Sequence, residues 1–122
     1  VDDRPEDVEE TFRAFLTAIR PLGLAWLHVI RRHEANQGIH LDNLALARDL
    51  HDGALIANDS YDGPEAATAV ADEVCDAVSF GRHFLATTDL PARFADGRDP
   101  ELFDPRTLYT PGPLGYTELS RC

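Results

Sequence analysis

Two different periods of apolar and polar residues run along this 122-residue chain. Over DVEETFRAFLTAIRPLG, Val8, Phe12, Phe15, Leu16 and Ile19 recur at the spacing of one helix face. Acidic residues open that segment, Arg20 stands near its end, and Pro21 and Gly23 stop it. LAWLHVI, Leu24 to Ile30, is nearly all apolar and predicts a strand buried on both faces, as in a parallel sheet. RRHEANQGIH reads as a polar connection. Asp42 then predicts the cap of a helix through NLALARDLHDG, ending at Gly53. ALIAN predicts a second short buried strand. In DSYDGPEAATAVADEV, Asp62 as N-cap, Pro64 in the first turn and Glu65 three residues after the cap form a capping-box pattern. DAVSF predicts the third strand, and RHFLATT and LPARFAD two short helical pieces. From Gly97 onward the chain reads as loop-like, and Pro100, Pro105, Pro111 and Pro113, with Gly112 and Gly115, make residues 99–122 a tail.

The order α-β-α-β-α-β-α implies βαβ crossovers and a parallel sheet, hence an α/β fold. Three parallel strands alone leave two unpaired edges and faces that need cover. A (β/α)8 barrel needs about 250 residues. A doubly wound domain normally has about five strands, so the single segment, residues 1–122, looks like less than half of a barrel, a partial (β/α)8 fold.

Composition narrows the chemistry. A net charge of −11 repels a phosphate backbone, so no nucleic-acid partner is expected. No apolar run is long enough to span a membrane, and the acidic VDDRPEDVEE is unlike a signal or transit peptide, so a cytoplasmic location is expected. All 11 basic residues are arginine, which excludes Schiff-base and P-loop lysine chemistry. Cys75 reads as a buried free thiol and Cys122 as a tail residue. His33, His40, His51 and His83 lack metal-ligand spacing, and no metal is expected. His28, within the first strand, and Trp26 read as structural residues. No Ser-His-Asp order or carboxylate pair supports a catalytic assignment.

The junction between the third strand and the next helix carries a candidate anion site, though by itself the pair is a weak signal. Gly81 lets backbone approach an anion closely, and the Arg82 guanidinium offers a donor fork that matches phosphate oxygens. The same pair also suits a tight turn with a surface arginine.

GLAWLHVI, ALIANDSYD, DAVSFGRHFLATTDLPARF and LYTPGPLGYTEL, in this order and spacing, resemble the C-terminal part of the old yellow enzyme family (NADH:flavin and 12-oxophytodienoate reductases). The likeness runs from about Asp7 to Leu119. It implies barrel strands six to eight, the last third of a larger fold. It also implies FMN as cofactor, NAD(P)H as reductant and an alkene conjugated with a carbonyl as substrate. By the resemblance, Gly81 and Arg82 bind the FMN phosphate. The loop from Asn58 to Tyr61, with Asp59 and Ser60, stands where the family usually has Asn-Gly-Gly-Tyr, and Tyr109 edges the flavin pocket. The family's substrate-binding pair and proton-donating tyrosine belong to earlier strands, so no catalytic residue carries over. The expected partners are a complementing barrel chain or further copies of this one. The alternative is a non-catalytic truncated paralogue that self-associates or binds a protein partner.

Overall fold

The computed structural model describes residues 5–31, 41–102, 104–107 and 113. The chain forms two compact units, Val1–Ser79 and Phe80–Cys122. In the first unit α1 (Pro5–Ile19) runs into a 3-10 turn (Arg20–Leu22), which Gly23 ends with a left-handed φ of 60°. Then follow β1 (Trp26–Ile30), α2 (Asn43–Leu50), β2 (Ala54–Asn58), α3 (Gly63–Ala71) and β3 (Ala77–Val78). Both aspartate caps form as the sequence predicts. The Asp42 carboxylate accepts from the Ala45 amide at 3.0 Å, and that of Asp62 from the Glu65 amide at 2.7 Å. Each satisfies an amide that has no partner inside its own helix.

The three strands form one parallel sheet in the order β1-β2-β3. Trp26 pairs with Ala54 and Ile30 with Asn58, while Ile56 pairs with Ala77. Strand order follows chain order, so right-handed crossovers put α2 and α3 on the same face. That face holds the core of the unit: Leu44, Leu46 and Ala47 of α2, Leu55 and Ala57 of β2, and Ala66 of α3 are buried.

Three expectations need correction. The helix after Asp42 ends at Leu50, with His51 already extended, and does not run to Gly53. The first strand is not buried on both faces: Trp26 is 59% and Ile30 58% exposed. Side chains alternate across a strand, and the helices cover only the face opposite these two. The third strand is shorter than DAVSF, because only Ala77 and Val78 keep ladder geometry with β2.

Asp76 anchors the start of β3. Its amide donates to the Leu55 carbonyl at 2.8 Å, and its carboxylate accepts from the Leu55 amide at 2.7 Å and from Arg48 at 3.0 Å. The Leu55 amide, then Arg48, hold its pKa below the usual aspartate value. A depressed carboxylate stabilises the fold above its unfolded pKa, and that contribution disappears as pH falls through the folded value. Urea midpoints should therefore fall more steeply below about pH 4 in the native chain than in Asp76→Asn. Parallel acid profiles for the two proteins would remove this role from Asp76.

The second unit contains α4 (Arg82–Ala86), α5 (Leu90–Ala95) and a 3-10 turn (Pro105–Thr107). Leu90 and Thr87 are each 1% exposed, and the Thr87 hydroxyl accepts from the Glu101 amide at 2.8 Å. Phe80 packs its ring 5.1 Å from that of Phe94. Arg93 binds the carboxylates of Asp89 and Glu101. Among the described residues, no helix is long and apolar enough to cross a membrane.

Candidate functional site

The residues proposed from the sequence fall into two local groups. Asn58, Asp59 and Ser60 lie together where β2 gives way to α3, in the first unit. Gly81 and Arg82 lie together at the start of α4, in the second. Tyr109 lies outside the described residues.

In the first group, Asp59 has a φ of 84° and Ser60 a φ of 55°. Left-handed backbone costs an ordinary residue roughly 1–2 kcal/mol, which is why glycine normally occupies it. The loop thus keeps a backbone suited to two glycines although neither side chain is glycine.

Arg31, directly after β1, holds that backbone in place. Its Nε donates to the Asp59 carbonyl at 2.8 Å and its Nη2 to the Ser60 carbonyl at 2.5 Å. Both oxygens of the Glu65 carboxylate accept from the same guanidinium, at 2.5 and 2.9 Å. The guanidinium carbon stacks 3.6 Å from the centre of the Tyr61 ring. The Arg31 side chain is only 16% exposed. The Glu65 hydrogen bond, against opposing desolvation, raises the Arg31 pKa further. Tyr61 is buried, and desolvation raises its pKa despite the cation above it.

Arg31 escaped the sequence reading because it sits in a polar stretch that looks like a connection. The available signal was its position at the C-terminal end of a parallel strand, the end at which α/β sheets place their ligands.

A second network ties the open face of the sheet together. His28 Nε2 lies 2.7 Å from the Ser79 hydroxyl. The Asn58 amide group donates to that hydroxyl at 2.7 Å and to the Ser79 carbonyl at 3.1 Å. His28 therefore has the structural partner expected of it, and Asn58 links the ends of β2 and β3. Ser60 Oγ donates to the Asp59 carboxylate at 3.1 Å.

In the second group, Gly81 is the N-cap of α4, with φ −94° and ψ −78°. A Cβ there would meet nothing within 4 Å among the described residues. Neither the backbone conformation nor packing among those residues demands glycine at this position. Gly81 and Arg82 are both exposed.

No protein-family model matches the chain. A Leishmania infantum protein named "Probable flavin mononucleotide-dependent alkene reductase" is 33% identical over 117 residues, which is 96% of this chain and 32% of that protein. The old yellow enzyme from Trypanosoma cruzi aligns with a TM-score of 0.80 and 34% identity, over 93% of this chain and 30% of that one. Morphinone reductase, solved in complex with tetrahydroNAD, aligns with a TM-score of 0.75 and 32% identity over the same shares. The chain spans about a third of the length of each.

Proposed function

From the premise that the chain is homologous to a segment of the old yellow enzymes, TIM-barrel ene-reductases, we propose that it supplies the phosphate half of an FMN site. The reaction served is the NAD(P)H-dependent reduction of an alkene conjugated with a carbonyl. The remaining barrel strands come from elsewhere in a longer chain or from a complementing one. FMN, when bound, supplies the hydride-carrying ring.

The observation that carries this reading is the positive φ of Asp59 and Ser60, at the positions where the family usually has glycine. The donors suit an anionic group. Trans peptide planes set each N–H opposite the preceding C=O. With the Asp59 and Ser60 carbonyls turned to Arg31, the Ser60 and Tyr61 amides face away from it. In the second unit, open space at the Gly81 Cβ suits close approach by a ligand. Arg82 adds a guanidinium suited to phosphate oxygens. Within the first unit, Asp59 opposes the Ser60 and Tyr61 amides with a negative charge of its own. By the same reading, Asn58 holds the loop to the sheet and Tyr109 borders the flavin.

The test compares FMN with riboflavin, which lacks the phosphate. Each is added to the purified chain, which is then desalted and its flavin absorbance read. The expected result is retention of FMN and loss of riboflavin. Equal retention of the two, or loss of both by a folded chain supplied with the missing strands, would overturn the reading.

A second reading has its own support. Trp26 and Ile30 on the sheet, and Phe15 at 58% exposure on α1, present apolar surface that a self-associating, non-catalytic paralogue would bury. Sedimentation of a flavin-free oligomer would favour that reading.

A further inference from the structure

Two adjacent non-glycine residues in left-handed backbone need a local cause. Within the loop, the Ser60 hydroxyl donates to the neighbouring Asp59 carboxylate, a bond between two side chains that holds neither loop carbonyl. Arg31 supplies a cause, since a single planar guanidinium bonds both loop carbonyls. The fork is itself fixed from two further sides, by both Glu65 oxygens from α3 and by the Tyr61 ring. Rotating either loop carbonyl away would remove a charge-assisted bond from a side chain that is largely shielded from replacement water.

We propose that Arg31 is a positioning residue of the β2–α3 loop, taking over the conformational role of glycine at Asp59 and Ser60 and thereby aiming the Ser60 and Tyr61 amides as anion donors. The last step rests on the phosphate-site reading above; the control of loop backbone does not. Glu65 and Tyr61 belong to the same device, because they hold the guanidinium plane in which the two carbonyls lie. Lysine cannot replace Arg31, because one ammonium group lacks the planar fork.

The test uses the full 122-residue chain, isotopically labelled, with inorganic phosphate as the probe. Strong cross-relaxation between a residue's own amide and Hα protons marks positive φ at Asp59 and Ser60. It should be strong at both residues in the native chain and lost at both in Arg31→Ala. Phosphate should shift the Ser60 and Tyr61 amide signals in the native chain, bind at least tenfold more weakly to Arg31→Ala, and recover when Asp59→Gly and Ser60→Gly are added. Recovery by glycine separates control of the loop backbone from a general loss of stability. Should Arg31→Ala lose the protected amides of the β1–β2 ladder, Arg31→Lys replaces it, keeping charge and stem while removing the fork. Undiminished positive-φ signals at both residues in the folded variant would overturn the proposal. Signals lost in the variant, with no phosphate response even in the native chain, would uphold the positioning role and sink the phosphate site instead.

Discussion

Gly53→Ala should destabilise the first unit by about 2–3 kcal/mol, near the upper end for overpacking. A Cβ at Gly53 would lie 2.8 Å from the Leu24 carbonyl oxygen, 2.9 Å from that of Ala25 and 2.7 Å from His51 Nε2. The His51 ring can turn aside, but the two carbonyls cannot. That of Ala25 accepts from the Ala54 amide at 3.1 Å, the bond that opens the β1–β2 ladder. Relieving the clash therefore means pulling apart the strand pair that carries the sheet. A chain this short has little stability in reserve. Urea unfolding followed by circular dichroism would show the loss as a lowered midpoint. A midpoint equal to that of the native chain would mean that the start of β1 gives way more easily than its hydrogen bonds imply. Gly81→Ala is the matched control. Its φ is negative and its Cβ meets open space, so the same measurement should change by less than about 1 kcal/mol. One glycine is required by the fold, and the other has open space beside it among the described residues.

Arg82→Ala should weaken FMN binding about 10- to 100-fold while leaving riboflavin unaffected. Hydrogen bonds from a charged donor contribute roughly 1.5–3 kcal/mol, and each 1.4 kcal/mol is a factor of about ten. The effect should be confined to phosphate because riboflavin shares the ring and ribityl chain but not the anion. Arg82→Lys should recover part of the loss, since an ammonium keeps the charge but not the bidentate fork. Arg82 is exposed at the first turn of α4, so its removal leaves the core of its unit, Leu90 and Thr87, in place. FMN titrations of the native and variant chains, each completed with the missing barrel strands, measure the ratio. Equal affinity for FMN in both would take the phosphate role from Arg82.

Much of the local structure was legible in the residues themselves. Asp42 and Asp62 cap the helices they precede because an aspartate oxygen reaches an amide three residues on, a contact that needs no distant partner. ALIAN and most of LAWLHVI became strands because a short apolar run between polar turns leaves the backbone few other ways to bury it. Gly81-Arg82 marked the start of α4, and the resemblance to the old yellow enzymes could be seen in motifs that lie close together in sequence.

Other features depended on partners remote in sequence. The apolar run of β1 predicts two covered faces, yet which of them this chain covers is set by the crossover hand that puts α2 and α3 together, leaving Trp26 and Ile30 exposed. The shape of the Asn58–Tyr61 loop was less legible still. Asp59-Ser60, read by residue type, departs from a glycine pattern and says nothing of what holds the backbone there. In the folded chain both residues take positive φ, 84° and 55°, a backbone that suits glycine.

By itself, then, the sequence determined the order of the elements, the two aspartate caps, the parallel sheet and the family likeness, because each depends on neighbouring residues or on the period of an apolar pattern. Only the tertiary structure decided which sheet face stays open and how the loop after β2 is held. The physical reason is distance along the chain: the bonds from Arg31 to the Asp59 and Ser60 carbonyls span 28 and 29 residues, and they exist only once β1 and β2 lie side by side.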